Sequence, residues 1–370
     1  MTKPSAEQPS KDPHSVEPPA LHYMARRATS RRAVVGLEIE PSYVAAAEVR
    51  AGSMAVERAA TATLGPGIVR DGEVVDVEAL ADALKSFFRE AKLPRHIRLG
   101  VANQRIVVRT IDLPPLEGKE LAAAVRFQAD ELLPMPIDQA VLDFQVMGPV
   151  ASPEGPRTRV VLVAARRDMI DRMVIAAKRA GLRPVGIDLS AFAMIRALAT
   201  DDSATLYINV GGLTNIAVAQ GTTCLFTRVV AGGFEGMAGD LSERCGLTLE
   251  HAREWLTYVG LERPTDDVDG DETIVRETRN VLADGARRVA DEARNSLDYY
   301  RAQNEVLDVQ RAVLTGPALA VEGFAAELEA NVGLEVVPGV VEEARPGALD
   351  GVEPERVAVA AGLAVEEQTR

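Results

Sequence analysis

The sequence predicts a two-lobed α/β protein, and three observations support this fold class. Strand and helix patterns are mixed along the chain, and two similar segments, each led by a hairpin, begin near residues 33 and 204. The length of 370 residues is sufficient for two lobes, and 47% hydrophobic against 26% charged residues is typical of globular proteins. A cleft between the lobes is the expected binding place.

Charge and residue counts exclude several classes of function. A net charge of −14 argues against nucleic acid as the main partner, because phosphate backbones are bound by clustered Lys and Arg. Cys224 and Cys245 form no CxxC motif, so a reduced cytoplasmic setting is expected. The four histidines lie far apart in the chain, which argues against a histidine-based metal site. No apolar stretch approaches the ~20 residues that cross a bilayer.

Residues 1–32 are rich in Pro, Ser, Glu and Lys and show no apolar periodicity, so we expect a disordered tail. Arg26, Arg27, Arg31 and Arg32 stand just before the first predicted strand. Two interpretations stay open. These arginines belong to a solvated tail, or they give weak attraction to an anionic membrane surface, at about 1 kcal/mol per basic residue.

The first ordered series begins at "AVVGLEIEPSYVAAAEVRAGSMAVERAATATL", which reads strand, turn, strand, turn, strand, with Gly52 in the second turn. Apolar residues at helical spacing then predict a helix around residues 76–93. The stretch "IRLGVANQRIVVRTIDLP" is predicted as strand, ended by Pro114 and Pro115. An amphipathic helix over 119–133 follows, and then strand, strand, helix and strand.

The second series begins at "ATLYINVGGLTNIAVAQGTTCLFTRVVAGG" and repeats the pattern of the first. Glu38 and Asn209 stand at equivalent places near the end of the leading strand, and Gly52 and Gly221 stand in the equivalent second turns. This internal repeat indicates one fold used twice. A helical region over about 240–303, the strand "RAVLTG", a helix, a further strand and a final helix are predicted after it.

Three longer stretches carry a resemblance to a known family. "RTIDLPPLEGKELAAAVRFQADELLPMPIDQAVLDFQVMG" joins a strand ending in Leu-Pro, an acidic amphipathic helix, a Pro-x-Pro and a further strand. The others are "VVLVAARRDMIDRMVIAAKRAGLRPVGIDLSAFAMIRAL" and "EARNSLDYYRAQNEVLDVQRAVLTGPALAVEGFAAEL". Together they resemble the PilM family of type IV pilus assembly proteins, over about residues 33–366.

This resemblance implies an actin-like fold, a duplicated ribonuclease H-like unit in two lobes with an inserted small α/β subdomain at about 98–187. The expected division is a tail (1–32), a first lobe (33–203), a second lobe (204–356) and a segment that returns to the first lobe (357–370). The family implies a cytoplasmic protein peripherally associated with the inner membrane. It would bind the cytoplasmic N-terminal segment of a PilN-like bitopic membrane protein, in a groove between the first lobe and the inserted subdomain. The pilus motor ATPase and platform proteins are further expected partners.

The resemblance also implies ATP and Mg²⁺ between two phosphate-binding hairpins. In the family, Asp carboxylates position the metal and glycine N–H groups approach the phosphates. The matching positions in this chain are Glu38, Glu40, Ser42, Asn209, Gly211, Gly212, Thr214 and Gly316. Glu38 and Asn209 would be weak metal ligands, and Asp188 would orient the attacking water if the chain is an ATPase.

This chain departs from the family pattern at most of these positions. Glu40 replaces a glycine, Pro41 removes an N–H donor, Ala45 stands where a Lys is usual, and Pro317 replaces a second glycine. A Glu40 carboxylate ~4 Å from a phosphate oxygen costs about 4 kcal/mol at an effective dielectric of about 20. That is roughly three powers of ten in affinity, so weak or lost ATP binding is expected. The alternative is that Glu40 points away from the cleft.

Each candidate residue also has a purely structural interpretation. Glu38 and Asn209 would cap their hairpin turns, and Gly211 and Gly212 would supply a positive φ. Asp188 would cap the helix that starts near Ser190. Trp255, the single tryptophan, is expected in core packing rather than as a platform for a ligand.

Three functions remain open at this point. The first is a non-catalytic PilM-like adaptor, and the second is a PilM-like ATPase in which Glu38 holds the metal. The third is a relative of the cytoplasmic domain of a secretion-system platform protein, although such proteins usually carry a membrane helix. The polar face of the predicted helix 119–133 serves a partner or solvent; its members are Glu120, Arg126, Asp130 and Glu131.

Overall fold

The computed structural model describes residues 33–50, 52–153, 155–303 and 307–365. The expected tail (1–32) and its arginines lie outside the described residues, as do residues 366–370 of the predicted returning segment.

The first lobe consists of a five-stranded sheet with helices on both faces. Its elements up to the inserted subdomain are β1 (Val35–Ile39), β2 (Tyr43–Val49), β3 (Val56–Thr63), β4 (Val69–Arg70), β5 (Glu73–Val74), α1 (Val77–Ala91) and β6 (His96–Val101). The inserted subdomain follows, with β7 (Val107–Leu113), α2 (Gly118–Leu132), β8 (Ala140–Ser152) and β9 (Gly155–Arg166). The chain then returns to the first lobe with α3 (Arg167–Arg179), β10 (Arg183–Leu189) and α4 (Ser190–Leu198).

The second lobe repeats this plan and ends with a helix on the first lobe. Its elements are β11 (Ala204–Val210), β12 (Thr214–Gln220), β13 (Thr223–Val230), α5 (Phe234–Cys245), α6 (Leu249–Val259), α7 (Glu272–Arg301), β14 (Arg311–Thr315), α8 (Phe324–Val332), β15 (Glu335–Pro338) and α9 (Ala358–Ala364).

The two large sheets have the same topology. In the first the strand order is β3-β2-β1-β6-β10, and in the second it is β13-β12-β11-β14-β15. Each begins as an antiparallel meander of three strands and continues with two strands parallel to the leading strand. The duplication predicted from the hairpins is therefore confirmed.

The inserted subdomain is a three-stranded sheet, in the order β7-β9-β8, with α2 packed on one face. The prediction of one strand across residues 97–114 is wrong, because a turn separates β6 from β7. Asn103 fixes this turn: its side chain accepts the N–H of Arg105 (2.8 Å) and donates to the carbonyl of Asp71 (2.6 Å). Asn side chains stabilise turns by bonds of this kind, and here the turn sends the chain into a different sheet.

Helices α4 and α9 lie between the two large sheets. They pack against each other, and their buried side chains join β2 of the first sheet and β12 of the second in one apolar core. The contact of α9 with β1 is close, because a Cβ at Gly36 would lie 1.9 Å from the carbonyl oxygen of Ala360. The two lobes are thus held by a shared core as well as by their polar contacts.

On the outer face of the second sheet, α5 to α8 cover the core of the second lobe. Trp255 is partly buried against this core, as expected. No helix in the described part of the chain is both long and apolar enough to span a membrane.

We predict that Gly36→Ala lowers the free energy of unfolding by about 3 kcal/mol or more, because the added methyl group meets the backbone of α9. Urea denaturation measures this change. Gly236→Ala is the matched control, since nothing lies within 4 Å of its Cβ position and it is a helical residue of α5. There the stability should stay equal or rise by up to about 1 kcal/mol. Equal stability of both variants would contradict the close packing of α9 on β1.

Candidate functional site

The turns of the two leading hairpins touch across the cleft between the lobes. Oε2 of Glu40 accepts the backbone N–H of Gly212 at 2.7 Å, although 172 residues separate them in sequence. The N–H of Glu40 itself donates to the carbonyl of Tyr43 (2.9 Å), which closes the first turn. We call this Glu40–Gly212 hydrogen bond the hairpin contact. It shows that Glu40 points toward the second hairpin, so the alternative that it points away is wrong.

Glycine at 211 and 212 is required by this close approach. A Cβ at Gly212 would lie 2.5 Å from Cδ of Pro41, and one at Gly211 would lie 3.1 Å from Oε2 of Glu40. Neither glycine has a positive φ, so the interpretation that they supply one is wrong. Their role is to let the first turn reach the backbone of the second.

Burial, and secondly the charge of a neighbouring carboxylate, raise the pKa of both carboxyl groups of the first hairpin. Glu38 is 3% exposed and its Oε1 has no partner among the described residues. Its burial, and secondly the charge of Glu40, raise its pKa well above the ordinary value. Burial raises the pKa of Glu40 to about 7, a shift that the N–H of Gly212 opposes and the charge of Glu235 increases. Because Oε1 of Glu38 accepts no hydrogen bond within the described residues, Glu38 does not cap its turn, contrary to the structural interpretation.

Glu235 is a third carboxylate beside the hairpin contact, at the start of α5. The guanidinium of Arg253 binds it with Nε at 2.9 and 3.0 Å from the two carboxylate oxygens, and a further nitrogen lies 2.7 Å from one of them. This ion pair orients the start of α5 next to Gly211, whose carbonyl accepts the N–H of Glu235 at 3.4 Å. Sequence reasoning missed Glu235, and its position two residues after Gly232-Gly233, which follow β13, was the available signal.

Asn209, in the second hairpin, is buried and its Oδ1 also has no partner among the described residues. The capping interpretation of Asn209 is therefore wrong as well. Gly316 lies against it, with φ of 86° and a Cβ position 2.2 Å from Oδ1 of Asn209. The hydroxyl of Thr214 donates to the carbonyl of Gly232 (2.9 Å), and Ser42 is buried with its carbonyl bound to the N–H of Leu64 (2.8 Å).

Asp188 lies where β10 passes into α4, and its carboxylate is already engaged. Oδ1 accepts the N–H of Leu189 (2.8 Å), and Oδ2 forms a buried ion pair with Arg196. Arg196 also donates to the carbonyl of Gly362 in α9 at 3.2 Å. No side chain of the described residues caps the first turn of α4, so the interpretation of Asp188 as a helix cap is wrong.

ATP and Mg²⁺ fit poorly between the two hairpin turns, for geometric reasons. The N–H of Gly212, which a phosphate oxygen would need, is bound by Glu40, and the space above Gly212 is too small for a methyl group. Glu38, Glu40 and Glu235 put three carboxyl groups around the same turns. No set of three or more His, Cys, Asp and Glu side chains in the described ranges is arranged to hold a metal ion.

A second candidate site is a cavity of about 1360 Å³ where the inserted subdomain meets both lobes. We call it the groove. Residues 104–109 before and in β7, the segment 134–139 before β8 and the start of α3 form its first side. Phe226 to Val229 of β13 and Asn295 and Tyr299 of α7 form the other side.

Sequence reasoning expected a groove between the first lobe and the inserted subdomain, but it missed the side that the second lobe contributes. Tyr299 offered a signal, because it lies off the buried stripe of α7 that includes Leu297 and Tyr300. A large aromatic residue on the exposed side of a helix often marks a binding surface.

The family comparison identifies the chain. A family profile described as "Type IV pilus assembly protein PilM" matches residues 36–365. The chain belongs to the PilM family. Among solved structures, this PilM-family chain is similar to one described as "PilM-PilN type IV pilus biogenesis complex". The TM-score is 0.74 and the identity 26%, with 90% of this chain and 98% of the other chain covered.

Two further structures show the breadth of the fold. The ethanolamine utilization protein EutJ from Carboxydothermus hydrogenoformans matches with a TM-score of 0.52 at 15% identity, over 90% of this chain and 89% of that one. MreB5 of Spiroplasma citri bound to ADP matches with a TM-score of 0.51 at 12% identity, over 90% and 95%. The PilM-family chain therefore has the actin-like fold that its sequence predicted.

In the wild-type chain, ionisation of Glu40 lowers the free energy of unfolding as the pH rises to neutrality, and we predict that Glu40→Gln reduces this loss. The unfolded chain ionises this carboxyl near 4.5 and the folded chain only near 7, so the folded form binds more protons between these values. Its contribution to stability thus falls as the pH rises from about 4.5 to 7, by up to about 3 kcal/mol, and is constant above about 8. Glutamine keeps an oxygen acceptor for Gly212 without the charge. Denaturation at pH 4 and at pH 8 measures the difference.

The matched control is Glu90→Gln, an exposed carboxyl group of α1. It should follow the wild-type pH dependence to within about 0.5 kcal/mol. If Glu40→Gln gave that same profile, the charge of Glu40 would have no cost in the folded chain.

Proposed function

We propose that this PilM-family chain is an adaptor of a type IV pilus assembly platform. It binds the cytoplasmic N-terminal segment of a PilN-like membrane protein in the groove, and its ATP binding is weak or lost. The observation that carries the proposal is the combination of a hairpin contact closed by Glu40 with an open groove elsewhere in the molecule, between the inserted subdomain and the second lobe. The similarity to a PilM–PilN complex over 98% of that chain supports the choice of partner.

The groove suits a peptide segment better than a small ligand. Its volume of about 1360 Å³ exceeds the roughly 300–1,000 Å³ of pockets for drug-sized molecules. Ile106, Val107 and Val108 give its first side an apolar strip, while arginines and aspartates surround that strip. Peptide-binding grooves commonly combine such apolar pockets with a polar rim.

The hairpin contact supports weak or lost nucleotide binding. A phosphate would have to displace the Glu40 carboxyl group from Gly212, and it would repel that group in its ionised form. Ala45 offers no compensating positive charge at the position where the family usually has Lys. Both effects lower affinity for ATP.

One observation favours the second candidate, an ATPase with unusual metal ligands. Glu38 and Asn209 both keep a buried oxygen that has no partner in the described ranges, and unpaired buried oxygens suit a cation. In that function Asp188 would orient water, and it would first have to release Arg196. Because this would leave a buried guanidinium without its carboxylate partner, the adaptor is the better supported function.

The proposed place of action is the cytoplasmic face of the inner membrane, which the chain reaches through its partner. Membership of the family supports a role in pilus assembly. The motor ATPase and other platform proteins are proposed as further partners.

We predict that the wild-type chain gives no saturable binding of a fluorescent ATP analogue with Mg²⁺, whereas the double variant Glu40→Gly, Pro41→Ser gains partial binding. The variant frees the N–H of Gly212 and adds a donor at position 41. Equilibrium titration measures both proteins.

Glu40→Gln is the matched control, because it removes the charge but keeps Pro41 and an acceptor for Gly212. It should rescue less binding than the double variant. Clear binding by the wild-type chain, or its thermal stabilisation by Mg-ATP, would move the ATPase to first place.

We predict that the chain binds a synthetic peptide that copies the cytoplasmic N-terminal segment of the PilN-like protein of the same organism. The affinity should be the same with and without Mg-ATP, because the groove is separate from the hairpin contact. Fluorescence anisotropy of the labelled peptide measures it, with a scrambled peptide as control. Equal affinity for both peptides would contradict the adaptor.

A further inference from the structure

The second lobe contributes an aromatic side to the groove. Phe226 of β13 and Tyr299 of α7 lie with their ring centroids 5.6 Å apart and their planes tilted by 44°. Phe226 packs on the second-lobe core, which gives the pair a fixed base. Tyr299 is 60% exposed and faces the groove. Exposed aromatic side chains on a fixed base are frequent hot spots of protein interfaces.

The arginines of the groove differ in how well they are neutralised. Carboxylates pair with three of them, in the ion pairs Arg105–Glu73, Arg166–Asp168 and Arg228–Glu292. Arg167 donates to the carbonyls of Asp138 (3.2 Å) and Ala140 (2.8 Å), which holds the segment before β8 in place.

Arg109 of β7 is different. Within the described part of the chain it meets no carboxylate, and its hydrogen bond goes to the carbonyl of the adjacent Val108 (3.0 Å). Its side chain is exposed on the side of the groove opposite Tyr299. A guanidinium without a counter-ion at the rim of an apolar groove is suited to a carboxylate of a partner.

We propose that the bound segment bridges the two lobes, with an apolar side chain on the Phe226–Tyr299 pair and an acidic side chain at Arg109. This inference rests on the proposed function and specifies the partner's chemistry: an acidic residue close to a large apolar one. The segment then joins the inserted subdomain to the second lobe, in addition to the hairpin contact, which joins the first lobe to the second.

The test uses the full chain and the labelled PilN-like peptide described above. Tyr299→Ala and Arg109→Gln should each weaken binding at least about tenfold. The matched controls are Tyr258→Ala, an exposed tyrosine of α6 outside the groove, and Arg89→Gln, an exposed arginine of α1 outside the groove. Both controls should bind within about twofold of the wild type. Tyr299→Phe should retain binding, because it keeps the ring.

A second peptide, with its Asp and Glu residues changed to Asn and Gln, isolates the charge contact. Against this peptide Arg109→Gln should have no effect, since coupled residues show non-additive losses. Wild-type affinity in Tyr299→Ala and Arg109→Gln would overturn the bridge and leave the adaptor intact. Failure of the wild type and both controls to bind would remove the adaptor and the bridge with it.

Discussion

The turns of the two leading hairpins, one from each lobe, meet through a short polar contact, in which a carboxylate of the first hairpin binds a backbone N–H of the second. N–H groups of glycine-rich turns are natural anion sites. Here the anion is the Glu40 carboxylate of the same chain. It therefore loses no translational freedom on binding and has a high effective concentration. A free anion must therefore displace a tethered competitor, and Gly211, Gly212 and Pro41 are all fitted to the tethered one.

The shared core between the sheets explains why so small a contact suffices. Helices α4 and α9 are packed between the first and second sheets, and the Asp188–Arg196 pair and the carbonyl of Gly362 fasten them to each other. The relative position of the lobes is set mainly by this apolar layer, and the hairpin contact then fits within it. The groove inherits the same geometry, because its two sides belong to different lobes.

Much of the fold could be predicted from local patterns. The repeated hairpins gave the duplication, and the amphipathic helix predicted over 119–133 is α2 (Gly118–Leu132), because both signals depend on residues close in sequence. The turn at Asn103 was missed, although "ANQR" interrupts an apolar run and carried a signal. The chemical departures at Glu40 and Pro41 were also visible.

The direction of Glu40 and the partner of Asp188 could not be predicted in this way. Glu40 is oriented by a residue 172 positions away, and Asp188 by Arg196 on the next helix. The aromatic side of the groove likewise depends on how β13 and α7 face the inserted subdomain. Such side-chain directions follow from the packing of distant segments, which local patterns do not contain.

The position of α9 has a consequence for synthesis on the ribosome. This helix fills one face of the first sheet, with Gly36 and Gly100 shaped to receive it, yet it follows the whole second lobe in sequence. After β1 has been translated, more than 300 further residues are needed before α9 is complete. Until then this face of the first sheet lacks its covering helix. During that time the nascent chain is a natural client for chaperones, and its lobes complete folding together rather than in the order in which they are made.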